Sequence, residues 1–203
     1  RLKSELSSNL PSIEVHKIEV PPSKIQAQLL GLIDSRKGAG NTLAMIQKKL
    51  QACAHPFVAM SNGGSQLDAV KACPKLARTL EILEDIQAKG EKVLIFARWV
   101  ALQNLLAHVV QARFGVQVPI LNGSVPAGSR QPAVDHFNRT PGFGVLVLSA
   151  RACGLGLTII GANHVVHYTR EWNPAIEAQA TDRVYRIGQT RDVHVYLPIV
   201  AHE

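Results

Sequence analysis

Three short runs without a single charged residue constrain this chain more than anything else in it. They are VLIFA at 93–97, GVLVLS at 144–149 and HVVHY at 164–168. A strand with one wet face alternates apolar and polar residues, whereas one that is apolar throughout is covered on both faces. Doubly covered strands separated by helical stretches are the pattern of a parallel α/β sheet, because each crossover must carry the chain back to the same end. The stretches between these runs fit: 99–114 and 129–138 read as helices, 116–121 and 193–200 as further strands. The expectation is therefore five strands in one parallel sheet flanked by helices. At 46% hydrophobic and 18% charged residues, the 203-residue chain can bury such a core.

Ahead of the sheet the sequence is helical. Residues 74–89 carry Leu76, Leu80, Leu83 and Ile86 at helical spacing and end at Gly90. Ser23 is a candidate N-cap for a helix over 24–35, after an extended stretch that includes Ile13, Val15 and 18–20. A break at 37–40 precedes a second helix over 41–54, with Leu43, Ile46, Leu50 and Cys53 on one face. His55 follows in a His-Pro-Phe turn, where a structural role is expected, and 60–66 reads as a loop.

Chemistry concentrates in WNPAIEAQATDRVYRIGQTR at 172–191. Asn173 suits an N-cap, Pro174 a first helical position, and Gly188 a left-handed stop. On one continuous helix, Gln179, Arg183 and Arg186 at i, i+4 and i+7 would lie within roughly 60° of each other. Ile176, Ala180, Val184 and Ile187 would form the apolar stripe beside them. Two guanidinium forks and an amide on one rim suit the phosphates of a nucleoside triphosphate. The plain alternative is a surface helix with Asp182 and Arg186 as an ion pair.

Loops after parallel strands are where such sheets bind ligands. Asn122-Gly123-Ser124 could present backbone N–H groups and a hydroxyl to a phosphate, or be a tight turn. Arg151, Gly154 and Gly156 lie in the loop after 144–149, where glycine permits close backbone approach to phosphate or ribose. Arg98 could touch a nucleic-acid phosphate or simply be solvated, and Trp172 could stack on a base or fill a packing niche. Between residues 93 and 169 the basic residues are Arg98, Arg113, Arg130, Arg139 and Arg151, against Asp135 as the one acid. The net charge of +7 permits a polyanionic partner.

Other classes are disfavoured. Cys53, Cys73 and Cys153 have no C-x-x-C spacing, so neither a zinc site nor a disulfide framework is expected, and a reducing cytoplasm is. The eight histidines form no short-range ligand motif, so no metal site is assigned. No apolar run is long enough to span a membrane, and no signal-peptide pattern is present. Neither a G-x-x-x-x-G-K-[ST] loop nor a D-E-x-H element occurs.

Gln179-Ala180-x-x-Arg183-x-x-Arg186-Ile187-Gly188-Gln189 resembles the last helicase motif of the Swi/Snf-type DNA translocases of helicase superfamily two. Trp172-Asn173-Pro174 is another mark of that family. Ser149 to Gly156 resembles its S-x-R-A-G-x-G motif, Asn122-Gly123-Ser124 its D-G-S element, and Ala54-His55-Pro56 its N-H-P turn. Cys153, Thr158 and Arg98 depart from the usual glycine, asparagine and glutamine. The resemblance implies a RecA-like parallel-sheet lobe with an N-terminal helical protrusion, divided into connector and protrusion at 1–73 and the second motor lobe at 74–203. It implies that Arg183 and Arg186 are arginine fingers and that Gln179, Gly154 and Gly156 contact ATP. Gly123, Ser124, Arg151, Arg98, Trp172 and Asn173 are implied as DNA contacts. The expected cofactors are ATP and Mg2+, the metal held by a first RecA-like lobe of the same protein. Double-stranded DNA backbone is the expected partner, in the cytoplasm and at the nucleoid if the source is prokaryotic, as the wording of 171–189 suggests. The chain then reads as the second half of a motor, inactive as an ATPase by itself. An RNA-acting relative, a non-catalytic nucleic-acid-binding module and a generic sugar-nucleotide domain are the alternatives.

Overall fold

The computed structural model describes residues 11–35, 42–60 and 66–201, without the side chains of 66–67 and 153–155. The expected features at 1–10, 37–40 and 61–65 lie outside those described. In chain order the elements are β1 (Ile13–Val20), α1 (Lys24–Ser35), α2 (Thr42–Ala54), α3 (Pro56–Met60), α4 (Gln66–Ala72) and α5 (Pro74–Ala88). Then come β2 (Lys92–Phe96), α6 (Val100–Phe114), β3 (Ile120–Leu121), α7 (Ala127–Arg139) and β4 (Gly144–Leu148). A 3-10 turn at Ala150–Leu155, β5 (His164–His167), α8 (Pro174–Thr181) and β6 (Val193–Val200) complete the chain.

The strands form one six-stranded sheet in the order β1-β6-β5-β2-β4-β3. All the pairs from β6 to β3 are parallel. Bonds from Val193 N to Ser12 O and from Ala201 N to Val20 O advance in the same sense along both strands, so β1 is parallel as well. This is the RecA-like lobe the sequence implies, with one strand more than the five expected, because the N-terminal extended stretch joins the sheet edge. The charge-free runs are its centre: every residue of 93–95, 145–148 and 165–166 has no exposed surface. β3 is shorter than the expected 116–121. Pro119 has no N–H to give to the ladder; its carbonyl accepts from Val147, and the strand begins only after it.

Two compact units share the chain, one built from 1–16 and 83–197, the other from 17–82 and 198–203. The first contains most of the sheet. In the second, Val20, Leu30, Ile33, Ala52, Cys53 and Val200 make a small core. Ser23 caps α1 as expected, its Oγ accepting from Gln26 N at 3.1 Å. Leu43 does not turn inward as the periodicity suggests; it is 61% exposed, and α2 is buried only at its end, through Ala52, Cys53 and Ala54. His55 has the structural role expected, with Nδ1 accepting from Phe57 N and Nε2 3.0 Å from Ala69 O. Burial lowers its pKa. Among the described residues no helix is long and apolar enough to cross a membrane.

Gln26 is the polar pin of this unit. Fully buried, it donates through Nε2 to the carbonyls of Ala52 at 2.9 Å and Cys53 at 3.2 Å, while its Oε1 accepts from Ser23 N. Those two carbonyls lie at the end of α2. Gln26→Ala removes the amide that donates to both in a dry interior, and thermal unfolding of the variant should show a loss of about 1–3 kcal/mol. A melting temperature equal to wild type would contradict the pin.

Candidate functional site

The carboxyl ends of the sheet strands open into a cleft of ≈ 480 Å3. Its walls include Arg98 after β2, Asn122 and Gly123 after β3, Ser149 and Arg151 after β4, and Glu171 after β5. A buried amide chain sets the floor. Gln103 on α6 donates to Ala97 O at 2.7 Å and accepts from Asn122 Nδ2 at 2.8 Å. Asn122 Oδ1 in turn accepts from the backbone N of Ser124 at 3.0 Å and from its hydroxyl at 2.6 Å. Asn122 is thus spent inward, and Gly123 and Ser124 are left exposed at the rim. Arg130 of α7 braces the same loop through Val125 O and Gly123 O.

Of the five arginines of the sheet region, Arg139 is exposed at the end of α7, and these contacts sort the other four. Arg130 is buried and structural, and Arg113 is paired with Glu84 at 2.6 Å. Arg98 and Arg151 remain at the cleft. Arg98 is not the solvated side chain it could have been. It is half-buried, its guanidinium carbon lies 5.9 Å from the Trp99 ring centre, and its Nη1 is shielded from water without a hydrogen-bond partner. Ser149 Oγ accepts from Ala152 N, capping the 3-10 turn that carries Arg151 and Gly154. Gly156 ends that turn at φ 83°, with nothing within 4 Å of where a Cβ would stand. Only glycine takes that conformation without strain, and the open space beside it is available to a ligand. The Cys153 departure lies outside the described side chains.

The arginine segment departs from its expected shape. Asn173 caps α8 as predicted, accepting from Ala175 N at 3.0 Å, with Pro174 behind it. The helix stops at Thr181, however, and does not continue to Gly188. The carbonyl of Arg183 accepts from Ile159 N at 3.1 Å, a bond to the loop before β5. An α-helix needs that carbonyl for its own ladder, and the fully buried Ile159 and Val184 hold the diversion in place. Residues 182–188 therefore run as turns, and Gln179, Arg183 and Arg186 share no helical face. Gln179 is exposed on α8. Arg183 is half-buried, and its Nε is shielded without a hydrogen-bond partner. Arg186 is exposed and reaches Thr158 Oγ1 at 3.3 Å, so the departure at Thr158 touches a predicted site residue directly. Ile187, assigned to the apolar stripe, is 73% exposed, and Trp172, offered a packing niche, is 64% exposed. Both are on the surface.

Residues not assigned to the site hold this segment. Gln189 is buried; its Nε2 donates to Ile160 O at 3.3 Å and Ala162 O at 2.7 Å, and its Oε1 accepts from Thr190 N and Arg191 N. Asn138 pins the loop carrying Thr158, donating to Thr158 O and accepting from Gly161 N. A Cβ at Gly161 would stand 2.8 Å from the Asn138 Cα, so that approach requires glycine. Glu177 receives both arms of the Arg170 fork at 2.9 and 2.8 Å and the Glu171 N–H at 2.7 Å. Burial works to raise its pKa, but the fork and the N–H outweigh it and hold the carboxyl below its ordinary range. His167, stacked on Phe96 and bonded through Nε2 to Thr181 Oγ1 at 2.9 Å, is pushed by burial down to about 4.

The helicase conserved C-terminal domain family matches residues 74–188. The chain is 39% identical over 220 residues to the Zorya protein ZorD of Escherichia coli O139:H28, an alignment covering 98% of this chain and 20% of that protein. It is 36% identical over 203 residues to the putative ATP-dependent helicase/translocase YwqA of Bacillus subtilis, covering 95% and 22% respectively. The chain thus spans about a fifth of the length of these relatives. Among solved structures, the SWI2/SNF2 ATPase core of Sulfolobus solfataricus in complex with dsDNA superposes with a TM-score of 0.76. The identity is 32%, over 95% of this chain and 42% of that one.

His167 makes the site's stability pH-dependent. The unfolded chain takes up a proton near pH 6.5 and the folded chain withholds it until about 4, so stability falls as pH drops through that window. His167→Gln should flatten the dependence between pH 6.5 and 4 by up to one proton, ~1.4 kcal/mol per pH unit. Urea unfolding across that range measures it, and identical slopes in variant and wild type would contradict the neutral buried imidazole.

Proposed function

The chain belongs to the helicase conserved C-terminal domain family, with Swi2/Snf2 relatives, and on that premise we propose that it is a DNA-translocase motor lobe. In this reading it serves an ATP-dependent double-stranded-DNA translocase, with residues 1–73 as connector and protrusion and 74–203 as the second motor lobe. One observation carries the proposal. Two arginines assigned to anion contacts, Arg98 and Arg183, each keep a guanidinium N–H shielded from water and without a partner. A buried donor left unmade costs about 1–3 kcal/mol, more when charged, and an incoming phosphate oxygen would remove that cost.

The two arginines would meet different phosphates. Arg98, Arg151 and the exposed Gly123 line the cleft where a nucleic-acid backbone would lie, with the exposed Ser124 next to Gly123, and Trp172 and Asn173 follow the lining residue Glu171 in sequence. None of these groups forms a base-reading array, so binding would follow the phosphates and not the sequence. Arg183 and Arg186, with Gln179, would bear on ATP held against another lobe, and Gly154 and Gly156 would let backbone approach it. ATP supplies the phosphoryl group whose transfer drives the motor; the two arginines would stabilise the charge that develops as it leaves. This chain's arginine segment offers no metal cage, since Glu177 is committed to Arg170. The Mg2+ ligands would come from the other lobe.

Two measurements test the reading. In the protein carrying both lobes, Arg183→Ala and Arg186→Ala should each lower kcat at least ~100-fold, about 2.7 kcal/mol, with little change in DNA affinity or melting temperature. Near-wild-type turnover in both variants, with saturating duplex DNA, would remove the finger assignment. Arg98→Ala should weaken binding to unrelated duplexes equally and reduce the slope of log affinity against log salt by about one. A sequence-dependent loss, or stronger stimulation by duplex RNA than by DNA, would contradict the phosphate-track reading.

A further inference from the structure

A side-chain cluster that the motor reading leaves unused lies on strands β1 and β6. We propose that Glu14, His16 and His194 form a binding site for a divalent transition-metal ion of the Zn2+ class, tying the edge strand β1 to its neighbour. The pleat puts Glu14 and His16 on one face of β1, two residues apart, and His194 faces them from the parallel strand beside it. Glu14 Oε2 lies 3.2 Å from His194 Nδ1 and 3.7 Å from His16 Nε2. All three ligand atoms fall within 4.8 Å of one another. Ligands on a tetrahedral ion with bonds of 2.0–2.1 Å stand roughly 3.3–3.4 Å apart; the His16 and His194 rings stack at 5.8 Å with planes 25° apart, so binding turns one ring until both nitrogens converge on the ion.

A second observation points to a missing ligand. His16 Nε2 is shielded from water and makes no hydrogen bond, although it is aimed at Glu14. A buried ring nitrogen without a partner is the kind of vacancy an ion completes. Neighbouring rings line the site. His16 stacks on Tyr196 with centres 5.0 Å apart, and His194 stacks on His164 at 5.1 Å. His164 is fixed on its other side by Tyr196 OH at 3.2 Å and by the Glu91 carboxylate. Such supporting contacts orient the imidazoles that do the ligating. Two imidazoles and one carboxylate suit Zn2+ and its transition-metal neighbours, whereas Mg2+ and Ca2+ prefer oxygen throughout. Glu14 is exposed, so a fourth position is open to solvent.

The test is a Zn2+ titration of the full, tag-free chain, stripped with chelator and followed by competition with a chromophoric chelator. One equivalent should bind, undisturbed by millimolar Mg2+. His16→Ala and His194→Ala should each weaken binding at least tenfold, while His108→Ala and His136→Ala, exposed elsewhere, change nothing. Zn2+ should raise the melting temperature of wild type and not of the His16→Ala/His194→Ala double variant. The imidazole resonances of His16 and His194 should be the ones that move on adding Zn2+ to wild type, a readout independent of any variant. No stoichiometric binding, unchanged affinity in the double variant, or resonances that move only at other histidines would overturn the proposal.

Discussion

Strands β2, β4 and β5 are covered on both faces, and this single condition decides where everything polar in the lobe can go. A backbone buried that deeply satisfies its own hydrogen bonds through the ladder, and its side chains must be apolar. Charged and amide groups are expelled to the strand ends. At the carboxyl edge they meet one another in the loops after β2, β3, β4 and β5, separated in sequence by up to three crossovers but neighbours in space. The cleft is a consequence of the sheet before it is a consequence of any motif.

What was legible in the sequence follows the same division. The covered strands announce themselves, and β6 and α1 were placed to the residue because their ends carry Pro, Ser or a charge change. Residue patterns failed where a distant backbone group intervened. The helical spacing of Gln179, Arg183 and Arg186 is sound local logic, and it loses to one carbonyl of Arg183 that bonds across to Ile159. Gln103 and Gln26 carry no motif, since each serves main-chain carbonyls that no side-chain pattern records, and Gln189 stands in the quoted motif without its carbonyl contacts being marked there. A glutamine amid leucines, as Gln103 is between Leu102 and Leu106, was the one available sign. Glu14, His16 and His194 stand at opposite ends of the chain, so short-range spacing could not have joined them.

Shielded polar atoms without partners are few among the described residues: His16 Nε2, Arg98 Nη1, Asn163 Oδ1 and Arg183 Nε. Folding proteins rarely leave such groups unmade. Three of the four are nitrogens on residues that the proposals above set against an anion or a cation, and the covered core tolerates their being unmade.

The length of the stretch between Arg183 and Gln189 has a meaning of its own. At one end the Arg183 carbonyl is moored to Ile159; at the other, Gln189 grips Ile160 and Ala162. The intervening residues form a suspended span between two piers that stand on the same loop. Their number is thus a tether length and not a helical period. Substitutions that keep the buried Val184 leave the reach of the span unchanged, but adding or deleting one residue would make the piers impossible to reach together.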